Sequence, residues 1–278
     1  YESFVLCKDL VGDVQHADTT DELRQLLSSD GGGVIFTTIE KFRLKDLESG
    51  KEIAHPILSE RYNLIVLADG LGGHRAGHIA SEMTATDLGI AWVDTQLSTL
   101  NNVREWMVHV IDQENKKIHE LGKTEEYKGM GTTLEAVVII DNQMIFAHVG
   151  DSRIGLIRNG EYTRLTNDHS LVGALVRAGQ LTEEEAQHHP QKNIVTQSIG
   201  QADPVEPDIA LKTLEAGDFI IVNSDGLTNM VSVEDIRDIV LSEVALERKV
   251  ETLIRFANNA GGLDNITVAL LHITEEAH

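Results

Sequence analysis

Apolar runs ended by glycine and aspartate recur along this chain. Leu64-Ile65-Val66-Leu67-Ala68 is uninterrupted and predicts a buried strand. Phe219-Ile220-Ile221-Val222 and Ile266-Thr267-Val268-Ala269-Leu270-Leu271 predict two more. Residues 77–97 predict a helix, with Ile79, Met83 and the alanines between them on its apolar side. Val103, Trp106, Met107, Val110, Ile111, Ile118 and Leu121 recur at helical spacing and predict a second helix, their Trp and Met being core residues. His109 and His119, on or near that helix, read as surface or core residues, not ligands. The middle of the chain turns to strands at 132–140, 144–149 and 155–158. Asn159-Gly160 then predicts a tight hairpin returning through 162–165, the whole reading as an antiparallel meander. Residues 170–178 and 182–187 are predicted helices, the second opened by Thr182 and three glutamates. His188-His189 cannot share a helix face and is followed by Pro190, so it reads as a loop. The stretch 166–200 is expected to be a small insertion on the sheet. Helices near 233–241 and 247–260 precede the last strand.

Residues 1–62 differ in character. Thr20 to Leu27 begins with a capping pattern and predicts a short helix. Gly31-Gly32-Gly33 is a turn, and Val34 to Ile39 is β-branched and aromatic, so a strand is expected there. A polar loop is expected from Lys41 to about Glu60, with Gly50 and Pro56 as breakers. Helix, strand, loop and the strand at 64–68 together suggest part of a parallel α/β unit. A chain that begins with Tyr1 is expected to be processed, trimmed or excised from something longer.

Composition narrows the function classes. The 278 residues can bury a real core. A formal net charge of -22 argues against a general nucleic-acid binder, because phosphate repulsion would go unopposed. The single cysteine, Cys7, excludes an intrachain disulfide and fits a reducing, cytoplasmic compartment. No apolar run reaches membrane-spanning length, so no membrane partner is expected.

The candidate chemistry lies where the apolar runs end. Asp69-Gly70 follows the first, Ser224-Asp225-Gly226 the second, and Gly262-Leu263-Asp264-Asn265 precedes the third. Gly150-Asp151-Ser152 is a fourth such place. Any one Asp-Gly pair is ordinarily just a turn. A set of them at strand ends points to convergence on one metal site, since a strand fixes the carboxylate and a glycine lets the backbone approach.

Two resemblances follow. Tyr1-Glu2-Ser3-Phe4, Thr37-Thr38-Ile39-Glu40-Lys41-Phe42 and Leu58-Ser59-Glu60-Arg61-Tyr62-Asn63 resemble the motor subunit of type I restriction enzymes. The chain has no Gly-x-x-x-x-Gly-Lys-Ser/Thr loop to cradle phosphates, and Gly70 stands where the DEAH glutamate would be. Residues 63–278 resemble the bacterial form of the type 2C metal-dependent serine/threonine protein phosphatases. The strings that carry this are Asp69 to His74, Gly129-Met130-Gly131-Thr132-Thr133, His148 to Arg153, Leu165 to Ser170, Ser224 to Leu227 and Gly262 to Val268.

The second resemblance implies an α+β fold, a four-layer α-β-β-α sandwich of two antiparallel sheets, its first strands here replaced by the motor-like α/β fragment. It implies two Mn²⁺ or Mg²⁺ ions and a third in bacterial members. Asp69 would bridge two metals, Gly70 would offer a carbonyl to one, and Asp225 and Asp264 would complete the other. Asp151 and Asp225 would hold the third ion. Hard cations prefer such oxygen ligands. A metal-activated water would hydrolyse phosphoserine or phosphothreonine, with no phosphoenzyme. His74 would be the proton donor or merely cap the helix that follows. A phosphoprotein is the implied substrate and a serine/threonine kinase the implied partner. The family's strands before the Asp-Gly strand carry an arginine that grips phosphate and an acidic pair for the second metal; neither is found in 1–62. Reduced turnover is therefore expected, with a phosphatase-fold binding or regulatory module as the alternative.

Overall fold

The computed structural model describes residues 44–45, 52–53, 64–71, 74–93, 95 and 97–274, and the chain divides into two compact units, Tyr1–Tyr62 and Asn63–His278. The helix expected at 20–27 and the strand at 34–39 lie outside the described residues. In the first unit β1 (Leu44–Lys45) pairs antiparallel with β2 (Glu52–Ile53), Leu44 opposite Ile53. The expected polar loop thus contains a short hairpin, whose two-residue strands are too brief to leave a period in the sequence.

Among the described residues the second unit is built on two four-stranded antiparallel sheets. The first has the order β10-β7-β6-β3, from Asp208–Thr213, Gln143–Val149, Leu134–Ile140 and Leu64–Leu67. The second has the order β12-β11-β8-β9, from Val268–His272, Phe219–Asn223, Arg153–Arg158 and Glu161–Arg164. β4 (Gly70–Leu71) and β5 (Gly131–Thr132), which continue from β3 and lead into β6, form a separate two-residue pair.

Strict alternation sorts the side chains into layers. Val137, Met144 and Phe146 of the first sheet meet Ile154, Leu156, Ile220 and Val222 of the second. The opposite face of the first sheet carries Leu134, Ala136, Val138, Ile145, Ala147 and Val149. These pack under α1 (His74–Val93) and α2 (Leu100–Leu121) through Leu88, Trp92, Val103, Met107, Ile111 and Ile118. Full burial of one such aliphatic side chain stabilises by about 1.5–3 kcal/mol. Trp92 and Trp106 meet edge to face at 4.9 Å, so the aromatic and methionine stripe is core, as its spacing implied. Two further helices, α6 (Val233–Leu241) and α7 (Leu246–Asn259), pack on each other, α7 against β12 and α6 against β9 of the second sheet. The fold is α+β.

β3 runs antiparallel to β6, and among the described residues it is the edge of its sheet; the helix and strand that would complete the expected parallel α/β unit lie outside the described residues. The expected single meander is corrected. β6–β7 is a hairpin of one sheet and β8–β9 of the other. The chain crosses at Gly150, whose φ of 118° only glycine adopts without strain and where a Cβ would lie 2.6 Å from Thr133 Cγ2. Asn159 and Gly160, at φ 51° and 82°, make the expected tight turn. The insertion holds α3 (Leu171–Arg177) and α4 (Glu183–Gln187), the latter with a full capping box at Thr182 and Glu185. Among the described residues no helix is long and apolar enough to cross a membrane.

Candidate active site

The sheet registers bring the four aspartates to one end of the sandwich. Leu67 is opposite Glu135 and Leu134 opposite Val149, so the strand ends leading to Asp69 and Asp151 are neighbours. Asn223 is opposite both Arg153 and Val268, which places the loops of Asp225 and Asp264 at the same end of the second sheet.

Each carboxylate is fixed through its backbone. The Asp69 N–H donates to Thr133 Oγ1 at 3.0 Å, while its carbonyl accepts from Thr133 N at 2.8 Å and Thr132 Oγ1 at 2.9 Å. Thr133 Oγ1 is also 2.9 Å from Ser152 Oγ, tying the Asp69 and Asp151 turns together. Asp225 opens a single helical turn, α5 (Asp225–Thr228). Its N-cap, Ser224, reaches across the site: Oγ donates to the Asn265 carbonyl at 3.1 Å and accepts from Thr267 N at 3.0 Å. Gly226 sits so close that a Cβ would lie 2.1 Å from the Asn265 carbonyl oxygen. Gly70 approaches α1 similarly, a Cβ there falling 2.2 Å from the Gly77 carbonyl oxygen.

The electrostatics are those of a site built for positive charge. Burial first, then the charges of Asp225, Asp264 and Asp151, push the Asp69 carboxyl up to about 8, against a hydrogen bond from the Gly70 N–H. Burial, then Asp225 and Asp168, push Asp151 up to about 7. Asp225 is raised by burial and Asp264, although Asn229 Nδ2 donates to its Oδ2 at 2.9 Å. Asp264 is exposed and accepts from Asn265 N at 2.8 Å. Among the described residues, no three His, Cys, Asp or Glu side chains close into a ready-made metal cage. The residues fit a hard divalent cation nonetheless. They are all-oxygen donors that oppose one another's ionisation, and a cation relieves that opposition.

All four sequence-predicted aspartates thus come together, with Gly70 beside Asp69. His74 is the first residue of α1, and its side chain lies outside the described residues. His109 is exposed, and His119 Nδ1 lies 2.9 Å from the Gly200 carbonyl, so both stay off the site as expected. Sequence reasoning gave no role to the supports around the carboxylates. Arg153 grips Asp168 with Nε at 3.1 Å and Nη2 at 2.8 Å, and Arg164 joins the same carboxylate. Glu135 and His148 form a buried pair at 2.6 Å. Their signal was polar residues at inward-facing strand positions, a pattern that declares itself only once the register is known.

A two-sheet α+β sandwich with carboxylates at one end is a class of protein before it is a particular one. A family model described as protein phosphatase 2C matches residues 52–268. A second, described as SWI2/SNF2 ATPase, matches residues 2–88, so the two overlap on the stretch containing β3 and Asp69. Protein phosphatase PhpP of Streptococcus pneumoniae is 66% identical over 213 residues, 77% of this chain and 87% of that protein. The solved serine/threonine phosphatase of S. agalactiae is 63% identical, with a TM-score of 0.74 over 76% of this chain and 87% of that one. The catalytic domain of the phosphatase PstP, solved with two manganese ions, is 32% identical, with a TM-score of 0.68 over 77% and 88%. The chain belongs to the protein phosphatase 2C family and is a serine/threonine protein phosphatase.

Proposed function

We propose that residues 63–278 hydrolyse phosphoserine and phosphothreonine on a protein at a divalent-cation site made by Asp69, Gly70, Asp151, Asp225 and Asp264. The observation that carries this is the convergence of four aspartates from four separate segments, with Asp69 raised to about 8 chiefly by burial and the other three charges. Mn²⁺ or Mg²⁺ is the cation this donor set suits, and the manganese in the PstP relative supports it. When bound, such ions supply an activated water and positive charge facing the phosphate. The protein's own part is to hold the carboxylates still. Asp69 would be shared by two ions, with the Gly70 carbonyl serving one and Asp225 and Asp264 the other, and Asp151 with Asp225 would hold a third. His74, at the start of α1, is the candidate donor to the departing serine or threonine oxygen.

Residues 1–62 are a motor-like fragment in place of the family's first strands, a reading the overlap of the two family models supports. They lack the phosphate-gripping arginine and acidic pair, so turnover is reduced. The substrate is a phosphoprotein made by a serine/threonine kinase in the same, cytoplasmic, compartment. Phosphate release from a phosphothreonine peptide, measured with Mn²⁺ and with a chelator, tests the activity. Mn²⁺-dependent release is expected, and its absence in an Asp69→Asn variant. Release that persists in the chelator or in that variant would overturn the site assignment.

A further inference from the structure

Glu135 and His148 stand opposite each other on β6 and β7, facing the space between the sheets. Both side chains are fully buried, with His148 Nδ1 2.6 Å from Glu135 Oε1. His148 Nε2 donates to the Asn167 carbonyl at 2.9 Å. Packing does not account for this pair. Buried ionisable groups are costly to desolvate, and apolar residues of similar volume are often as stable or more so. Glu135 Oε2 is buried with no hydrogen-bond partner.

What the pair holds is a loop. Asp168 follows Asn167, and its carboxylate grips Arg153 at both ends while its carbonyl accepts from Arg177 at 2.9 Å. On the other side, the His169 ring packs on His148 at 4.6 Å, and His169 Nδ1 accepts from the Gly150 N–H at 3.2 Å. The loop is therefore tied to the turn that carries Asp151. Arg153, Asp168, Asp151 and Asp225 line one pocket of about 230 Å³, and the positive charge of Arg153 acts on both of the other aspartates.

We propose that Glu135 and His148 are positioning residues of the cation site, acting through Asn167 and Asp168 to hold Arg153 against Asp151 and Asp225. This rests on the reading of the site as a divalent-cation centre. A guanidinium held in one place sets the charge that those two carboxylates offer an ion; one that drifts repels the ion or leaves the carboxylates unbalanced. Partners of this outer kind typically change metal affinity or activity by about 10–100-fold when lost.

The test compares two double variants that leave no orphaned buried charge. Glu135→Leu/His148→Leu removes the tie to Asn167, whereas in Glu135→Gln/His148→Gln the amides can bond each other and Asn167. Mn²⁺ binding is read by calorimetry, with circular dichroism to check folding. The leucine pair is expected to raise the Mn²⁺ Kd about 10–100-fold and the glutamine pair no more than about threefold. At saturating Mn²⁺, KM for a phosphopeptide should move less than about twofold in either, because the supported groups act on the ion and not on the peptide. A folded leucine variant that binds Mn²⁺ as tightly as the unaltered chain overturns the proposal. Should it not fold, Asp168→Asn breaks the same linkage at its far end; an unchanged Kd there is equally fatal. Absence of Mn²⁺ binding by the unaltered chain would instead sink the cation-centre reading, and this proposal with it.

Discussion

Asp69 is held where its ionised form is least favoured, buried and facing three like charges, and this has a measurable consequence. A carboxylate whose folded-state pKa is raised binds protons more tightly folded than unfolded. Its stabilisation is complete below the unfolded value and is lost as pH rises through the folded one. Asp69, raised from 3.8 to about 8, and Asp151, raised from 3.8 to about 7, set that window. Between about pH 4 and 8 the chelated protein should lose thermal stability as these groups ionise. Asp69→Asn should flatten the fall. A melting temperature that holds steady or climbs from pH 5 to 8 in chelator would show that the carboxylates are not packed together. Mn²⁺ should reverse the fall at pH 8, because a ligand at a hundred times its Kd stabilises by about 2.7 kcal/mol. On the proposed assignment Asp225 would serve two cation positions, so Asp225→Asn should abolish most of the Mn²⁺-induced rise in melting temperature. A shift equal to that of the unaltered chain would remove Asp225 from the site.

At the scale of elements, the site depends on close backbone approaches between short pieces. The single turn α5 and the loop carrying Asp264 meet at Gly226, where a Cβ would lie 2.1 Å from the Asn265 carbonyl oxygen. Backbone cannot yield as a flexible side chain would. Gly226→Ala should therefore push the turn of Asp225 away from Asp264 and destabilise by about 1–3 kcal/mol. It should weaken Mn²⁺ binding as well, whereas Gly160→Ala, in the open β8–β9 turn, strains only its own backbone. Equal Mn²⁺ affinity in the two variants would show that the approach at Gly226 does not hold the site. Elements of this size mark where the sequence was legible. Strands β6, β7 and β11 and helices α2, α6 and α7 lay within a few residues of their predicted bounds, because their burial imposes a clear period. Helix α1 starts at His74 and ends at Val93, where the pattern gave 77–97, since its first turn carries no apolar stripe. Strand β10 escaped notice because only Ile209 packs on the core while Leu211 stays half-exposed at a sheet edge. Turn α5 escaped because four residues contain no period at all. The four aspartates were legible since each follows or precedes an apolar run, but Arg153–Asp168 and Glu135–His148 are pairings across strands that only the register reveals.

On the scale of the whole chain, two sequence signatures meet at β3, and they make opposite demands on function. A SWI2/SNF2 ATPase model covers residues 2–88, yet the chain has no complete phosphate loop. Its one Gly-Lys-Thr string, Gly122-Lys123-Thr124, lies at the C-terminal cap of α2, the end of a helix that repels phosphate. No ATP hydrolysis is expected, and activity that survives repurification and scales with protein would refute this. The phosphatase signature predicts activity, and on the proposed reading of residues 1–62 that activity is diminished. An arginine that grips phosphate makes charge-assisted, bidentate bonds. Losing one preorganised contact of that sort costs about 10²–10³ in rate. On the proposed assignment, loss of the acidic pair would weaken affinity for the second ion, while Asp69, Asp225 and Asp264 would still supply most of the other ion's ligands. Hydrolysis of a small aryl phosphate should thus be slow but not absent. High Mn²⁺ should recover part of it by refilling the weakened position, and no concentration should recover all of it, because metal does not replace a guanidinium. Exchange of residues 1–62 for a phosphatase-type N-terminus bearing the arginine and the acidic pair should raise kcat/KM at saturating Mn²⁺ by about 10²–10³. If the exchange leaves kcat/KM unchanged, a residue within 1–62 already grips the phosphate, and Arg24, Arg43 and Arg61 are the ones to substitute next.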